Sequence, residues 1–543
     1  MILVLLLITL NLSLGNPPIE YRILKKFKET QDIGAALFLL ENYPSAVFRD
    51  ELRVELAYLF FKRGEKERAR RILRNADLFK IREEYANVIS SMWKELSLPY
   101  KPFVLRFPEL AVDLIPEVSL SEREKETVLK RLLSKGLLEE VVKLAEDLCF
   151  YKGKALYMLK RYEESLKTLK KCNDERADVY VLLSYLKMKD LNSAELFVLK
   201  RNKEDLYFRL GWLFLVAGDY KRAKKYISLS GNNYRRFFYS GLIEFIQKRF
   251  LLAYENFSLS EKYTLGNAQK AQVYFWKYKT LKALGKDDLA LSYLEKCSEL
   301  FGFYAAVARR YLGKKVYKKP SLSFKEVKES SFFKRLKDIR NLGFAYYMRL
   351  EAFEKAHKLK PEDILRLLRI DPYTAIKLAV RVFGAGSDIY ISVAFPTPFK
   401  AVVKKASARY NVPQELIYAV MRQESLFDPF AVSRSGAKGL MQLMDKTAKW
   451  KAERIGYDLR DIFDIETNII LGTAYLRFLL DLWKGDLVRA IASYNAGQGV
   501  VSRWKNYNDD FVFIETIPYD ETRTYVKRVL WFYYVYVEKL SLR

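Results

Sequence analysis

The stretch NVPQELIYAVMRQESLFDPF, Asn411 to Phe430, decides how the C-terminal part of the chain is read. Asn411, Val412 and Pro413 open a helix, with Pro413 suited to the first turn and Glu415 to the positive end of the helix dipole. Ile417, Val420 and Met421 then fall on one face at helical spacing, and Glu424 continues that apolar stripe where a leucine is expected. Asp428-Pro429 is expected to stop the helix. A carboxyl group set against apolar side chains is poorly solvated, so its charged form is disfavoured and its pKa rises. A glutamate so placed keeps its proton near neutrality and can act as a general acid, which is what cleaving a glycosidic bond requires. From helical position alone two other readings stay open: an ion pair with Arg422 or Arg434, or a side chain solvated at a frayed helix end.

Downstream, AVSRSGAKGLMQLM (Ala431 to Met444) reads as a loop in which Gly436 and Gly439 let backbone pass closely, followed by a short helix. NIILGTAYLRFLL, AIASYNAGQGVV and IPYDETRTYVKRVL come next, and VLWFYYVYV after Arg528 is apolar enough to be a buried terminal helix rather than a cofactor box. Upstream, Pro396 and Pro398 break the helical pattern, which puts a domain boundary near Val393. From about Pro18 to Gly313 one grammar recurs without matching letter for letter: an apolar helix, a short turn, and a second helix centred on Ala or Leu. It begins at Ala57 (AYLFFKRGEKERARRIL), Ala155 (ALYMLKRYEESLKTLKK), Leu210 (LGWLFLVAGDYKRAKKYI) and Lys279 (KTLKALGKDDLALSYLEK), with Gly64, Gly218 or Gly285 at the turn in three of the four. No such pair can bury its own apolar face, so stacking into a tetratricopeptide-like ring or solenoid is expected. A further helical block runs from about Lys319 to Ser387. The expected organisation is all-α: residues 1–15 an export signal, 16–318 the α-superhelix, 319–393 a helical linker domain and 394–543 a compact final domain.

The bulk numbers limit the function classes. With 543 residues the chain exceeds one ordinary core. Half of it is hydrophobic and 15% aromatic, which argues against disorder. The formal charge of +29 favours an anionic partner. Lys and Arg are interspersed with Glu and form no compact basic block, so nucleic acid is not expected as the partner. MILVLLLITLNLSLGNPP is too short an apolar run to span a membrane and reads as a secretory signal cleaved after Gly15, although no Lys or Arg precedes its apolar core. The mature chain is then periplasmic, without an integral membrane segment, and expected to be a monomer. Cys149, Cys172 and Cys297 form no CxxC, and His357 is the only histidine and reads as an exposed helix residue, so no metal site or cofactor is expected. An oxidising compartment would permit a Cys149–Cys172 bridge.

QESLFDPFAVSRSGAKGLMQLM, SYNAGQGVVSRW and IETIPYDETRTYVKRVL together resemble the soluble lytic transglycosylase family of murein-cleaving enzymes, over about Ala394 to Leu530; FGFYAAVARRYLG upstream is similar to a segment near the end of that family's helical superdomain. The resemblance implies a lysozyme-like, mostly helical catalytic domain on a ring-shaped α-superhelix, with a linker domain between them. It implies Glu424 as the catalytic acid, with Ser433, Gln442 and Met444 lining sugar subsites. It places Tyr494 and Asn495 close to the reacting sugar, Glu521 where the groove closes, and Tyr525 beside them. The implied reaction is non-hydrolytic cleavage of the MurNAc–GlcNAc β-1,4 bond of peptidoglycan, leaving 1,6-anhydro-muramyl ends. Two positions depart from the family pattern: Asp445 stands where proline is common, and Ser493 where alanine usually precedes Tyr494. Two alternatives follow: a hydrolytic muramidase with Asp445 or Asp428 as helper, or a helical-repeat scaffold that binds glycan or a partner without turnover. Read one by one, Gln442 and Met444 also suit helix packing, Tyr494 a core aromatic, Ser433 and Asn495 turn caps, and Glu521 a pair with Arg523 or Arg528.

Overall fold

The computed structural model describes residues 18–317, 329–384 and 387–541; the segment read as an export signal lies outside them. Among the described residues the chain is all-α. Its extended pairing is limited to isolated bridges from Lys438 to Val432 and to Leu443. No helix among them is long and apolar enough to cross a membrane. The chain forms two compact units, each assembled from two stretches: Met1–Ser184 with Leu322–Tyr390, and Tyr185–Ser321 with Ile391–Arg543.

In the first unit, two of the repeats seen in the sequence are helix pairs, Arg49–Lys62 with Lys66–Arg74 and Cys149–Met158 with Tyr162–Leu169. A disulfide between Cys149 and Cys172 closes over the second pair, while Cys297, in the other unit, is free and buried. The block after Lys319 is helical, as expected, from Ser331–Asn341 to Pro372–Phe383. It docks on the N-terminal helices through buried carboxylates. Tyr21 donates to Glu351 Oε1 at 2.8 Å, where Arg335 also donates, and Tyr347 donates to Glu51 Oε2 at 2.6 Å. Glu51 and Glu351 are almost wholly buried, and each is tolerated because several donors replace its water. His357 is exposed in a short 3₁₀ turn.

The second unit begins with the pairs Glu204–Ala217 with Tyr220–Ser228, Asn233–Ile246 with Phe250–Glu261, and Asn267–Ala283 with Asp287–Ser298, followed by Phe303–Tyr311. Successive helices pack on one another, so each covers the face its neighbour could not bury alone. Gly218 ends its helix at φ 84°, a left-handed conformation that explains the glycine at this turn. The remainder of the unit is the lysozyme-like part. Ile465–Leu482 forms its centre, buried on nearly every face. Lys400–Tyr410, Asp445–Ile455 and Leu487–Ala496 pack on it, and the terminal helix Asp520–Ser541 packs on Gln414–Glu424, Leu487–Ala496 and Asp510–Thr516. VLWFYYVYV lies in that helix, with Phe532, Val535 and Tyr536 buried.

Two local expectations are corrected. The helix carrying Glu424 ends at that residue, not at Asp428-Pro429, because Leu426 and Phe427 turn left-handed at φ 53° and 67°. The residues from Leu440 to Met444 are turns and a bridge instead of a helix, which starts only at Asp445. Their backbone groups pair across the loop rather than up a helix: Lys438 and Leu443 exchange N–H···O bonds of 2.9 and 3.0 Å.

Candidate active site

Glu424 is the last residue of the helix Gln414–Glu424, and Ile417, Val420 and Met421 beneath it are fully buried. The backbone then reverses. Ser425, which caps the helix, donates to Leu440 O at 2.7 Å and accepts from Phe427 N at 3.1 Å. That tie lets two bulky residues stay left-handed, a conformation such residues seldom adopt and one that clusters at functional sites.

The loop that follows is held by its own polar groups. Gly439 N donates to Ala431 O at 2.9 Å, Gln442 Nε2 to Ala431 O and Gly439 O at 3.0 and 2.8 Å, and Ala437 N to Ser433 Oγ at 2.9 Å. Asn468, from the central helix, pins the loop from below. It accepts from Met441 N at 2.8 Å and donates to Lys438 O and Ile462 O at 3.1 and 2.8 Å. Gly439, at φ 77°, passes so close that a Cβ there would lie 2.3 Å from Asn468 Nδ2. Tyr494 reaches over from Leu487–Ala496 and donates to Met441 O at 2.9 Å. Its neighbour Asn495 accepts from Thr522 Oγ1 at 2.6 Å, and on the same terminal helix Tyr525 donates to Glu424 Oε1 at 2.7 Å.

The electrostatics of Glu424 follow from these neighbours. Burial pushes its carboxyl up to about 7; the Tyr525 hydrogen bond pulls it back, and the negative charge of Glu521 adds to the rise. The helix C-terminus acts in the same direction, because its unsatisfied carbonyls make it the negative end of the dipole. The residue is only partly buried, so a substrate can reach it. Tyr525 and Tyr494 are held well above the ordinary tyrosine range, first by burial and then by the charge of Glu424. The ion-pair reading of Glu424 does not hold among the described residues: buried Arg422 donates to Ala394 O at 2.6 Å with its guanidinium 5.3 Å from the centre of the Phe532 ring, and Arg434 is exposed.

The structure thus brings Tyr494, Glu521 and Tyr525 around Glu424, with Asn495 beside Tyr494 and bonded to Thr522 of the terminal helix. Glu521 is exposed and makes no ion pair with Arg523, which binds Asp520 and Ile517 O instead. Ser433 and Gln442 lie in the adjoining loop with their side chains turned onto its backbone, and Met444 is 44% exposed at the start of the next helix. Both departures have local partners. Ser493 is fully buried and accepts from Trp483 Nε1 at 2.8 Å; Asp445 receives both of its 2.9 Å contacts from Lys438 Nζ. Asp428 accepts from Phe430 N at 3.1 Å in the turn. Sequence reasoning passed over Ser425, Asn468 and Thr522. A signal existed for Asn468, which opens the apolar run NIILG on the buried side of its helix; Ser425 had only its place beside Glu424. Among the described residues no group of three or more His, Cys, Asp or Glu side chains could hold a metal.

Comparison with known proteins adds to this geometry. Residues 401–517 match the family described as the transglycosylase SLT domain. The soluble lytic murein transglycosylase of Escherichia coli K12 is 27% identical over 277 residues, which is 48% of this chain and 43% of that protein. The sequence match therefore spans less than half the length of that relative. Among solved structures, the 70 kDa soluble lytic transglycosylase of Escherichia coli superposes with a TM-score of 0.65 at 18% identity, covering 96% of this chain and 91% of the other. An inactive mutant of the lytic transglycosylase Slt from Pseudomonas aeruginosa superposes at 0.58 and 20% identity, covering 94% and 89%. At these identities the structures establish a shared fold.

Proposed function

We propose that this chain, whose residues 401–517 belong to the transglycosylase SLT domain family, is a lytic transglycosylase that cleaves the MurNAc–GlcNAc bond of peptidoglycan without adding water. The observation that carries the reading is Glu424, a partly open carboxyl with its pKa near 7 and a single hydrogen-bond donor on Oε1. With Oε1 taken by Tyr525, Oε2 is left to carry the proton and present it to the glycosidic oxygen as the bond breaks. Once the proton is gone, the Tyr525 hydroxyl stabilises the carboxylate, which then takes a proton from the muramyl C6 hydroxyl as that oxygen attacks C1. The product is a 1,6-anhydro sugar.

A hydrolase would need a second carboxylate to activate water or to act as nucleophile. Asp428 is occupied by the turn it caps, and Asp445 is paired with Lys438, which favours the intramolecular route. The sugar-binding roles of Ser433, Gln442, Met444, Tyr494, Asn495 and Glu521 are part of the same proposal, as are the boundaries 16–318, 319–393 and 394–543, export to the periplasm and a monomeric state. Catalysis ranks above a non-catalytic scaffold because an unpaired, poorly solvated carboxyl destabilises a fold and is unneeded for binding alone.

Mass analysis of the sugar ends released from purified sacculi in heavy-oxygen water tests the proposal. Anhydro ends without label are expected. Labelled reducing ends would establish hydrolysis, and Asp445→Asn would then separate that residue's part in it; fragments released equally by Glu424→Gln would establish the scaffold.

A further inference from the structure

The terminal helix Asp520–Ser541 has two working faces. Thr522, Tyr525, Phe532 and Tyr536 share one. Thr522 donates to Asn495, Tyr525 to Glu424, Phe532 lies against Arg422, and Tyr536 stacks on Tyr418 at 5.4 Å while donating to Pro396 O at 2.8 Å. Arg523, Lys527, Trp531, Tyr534 and Glu538, spaced by three and four, form the other, and all of them meet the stretch 204–317. The Arg523 guanidinium lies 4.5 Å from the Trp212 ring centre, Trp531 meets Phe301 edge-on at 4.7 Å, and Arg310 sits 4.6 Å from the Tyr534 ring. Glu538 accepts from the N–H groups of Val316 and Tyr317 at 2.8 Å.

At the middle of this second face is an ion pair whose carboxylate is wholly buried, while the Lys527 side chain keeps 19% of its exposure. Lys527 Nζ donates to both oxygens of Glu515 at 2.8 and 2.9 Å, and Glu515 is 0% exposed. Glu515 also accepts from Tyr304 and from Gln272 Nε2, the latter at 2.6 Å, and Gln272 Oε1 in turn accepts from Tyr234 at 2.6 Å. A buried ion pair is seldom the most stable filling for such a space. It does fix one register, since a slipped helix would leave the buried Glu515 carboxylate without its cation. A slip by one residue would turn the helix by about 100° and carry Tyr525 away from Glu424.

We propose that Lys527 and Glu515 are positioning residues for Glu424: by locking the terminal helix on Tyr304 and Gln272 of the repeat helices, they hold the Tyr525 hydroxyl on Glu424 Oε1. The proposal rests on the reading of Glu424 as the acid and extends it to the helical scaffold. The titratable groups facing Glu424 are Tyr525 and Glu521 from the terminal helix and Tyr494 from Leu487–Ala496. The nearby loop's Asp428, Lys438 and Asp445 are engaged with its own groups.

The test uses the full chain. The double variant Glu515→Gln/Lys527→Met replaces the ion pair by neutral groups of similar size and orphans no charge. The protonation of Glu424 is followed by infrared difference spectroscopy against a Glu424→Gln background, alongside the pH profile of sacculus digestion. Tyr525→Phe, which removes a bond to the ionised form, raises the Glu424 midpoint by about half to one pH unit. The double variant shifts it in the same direction and adds nothing further on top of Tyr525→Phe, while the single variant Lys527→Arg, which keeps a cation on Glu515, stays near the wild-type midpoint. A midpoint that stays at the wild-type value in the double variant while Tyr525→Phe moves it overturns the proposal. If the double variant does not fold, Tyr304→Phe is read by the same criteria. The infrared titration needs no turnover, so a failed catalytic reading shows only in the digestion.

Discussion

Replacing Glu424 by glutamine should cost the activity and strengthen the fold, with a pH dependence fixed in sign. The carboxyl is held at about 7 against an ordinary 4.5. Below pH 4.5 it is protonated in both the folded and the unfolded chain and contributes no pH dependence. As pH rises towards 7 the unfolded chain releases this proton while the folded one keeps it, so wild-type stability falls across that window. At about 1.4 kcal/mol per pH unit the full loss is about 3 kcal/mol, and partial access of solvent to the side chain reduces it to about 2 kcal/mol. Glutamine never ionises and escapes this loss. Urea unfolding of both proteins, followed by tryptophan fluorescence, should give nearly equal stabilities near pH 4.5 and a variant about 2 kcal/mol more stable at about pH 8. Sacculus digestion by the variant should fall by roughly 10²–10⁴-fold, the range for loss of a general acid. Stability curves that run parallel across the whole pH range would refute the argument, since they would mean that folding does not perturb Glu424.

Glu521→Gln removes the like charge near Glu424, so the alkaline limb of the pH–rate profile should move down by about half a unit, with stability almost unchanged; an upward or absent shift would rule out that charge as a cause. Gly439→Ala puts a methyl group 2.3 Å from the Asn468 amide in a left-handed backbone and should cost about 3 kcal/mol or more together with activity. Gly436→Ala, left-handed at φ 85° but with nothing within 4 Å, should cost only about 1 kcal/mol, and thermal unfolding of the two variants measures the difference. Ser493→Ala strands the Trp483 indole N–H and should lower stability by about 1–2 kcal/mol, read from urea midpoints at unchanged slope.

The parts of this molecule that were legible in the sequence share a physical cause. The paired helices repeat because each must bury the same kind of face, so the turns at Gly64, Gly218 and Gly285 could be placed from spacing alone, and all three glycines adopt positive φ. Glu424 was legible because a charge interrupts an apolar stripe. The end of its helix was not: Leu426 and Phe427 carry no turn signal and turn left-handed only because Ser425 is tied to Leu440, fifteen positions away. Similarly, Leu440 to Met444 has a helix-forming composition, but Asn468 supplies partners for the loop's backbone that outweigh local propensity. The terminal helix could be read as buried from its apolar letters. Its division into two faces could not: Glu515 is only twelve positions from Lys527, but Tyr304 and Gln272, which complete its surroundings, lie 211 and 243 positions from Glu515 and become its neighbours only on folding.

The acid at the centre of the site is built from opposing contributions, and the balance among them bears on why one tyrosine touches it. Burial, the charge of Glu521 and the negative end of the helix dipole all push the Glu424 proton on, and the Tyr525 hydroxyl alone pulls the other way. Without that hydrogen bond the carboxyl would hold its proton more tightly, and a group that must first give a proton and then take one back works best when neither form is strongly preferred. The alternative device, two carboxylates with separate tasks, would relax this constraint, but Asp428 and Asp445 are both engaged elsewhere. On the proposed mechanism both proton transfers fall to Glu424, and Tyr525 is needed most as the carboxylate forms. Tyr525→Phe should therefore slow the delivery of the proton more than its return, because the more basic carboxylate gives a proton up less readily and takes one back more readily. Single-turnover digestion would register this as slower bond cleavage with the anhydro ends still unlabelled. Labelled reducing ends that rose at the expense of anhydro ends would mean that the hydroxyl serves the return step instead, and an unchanged cleavage rate that it only holds the helix in place.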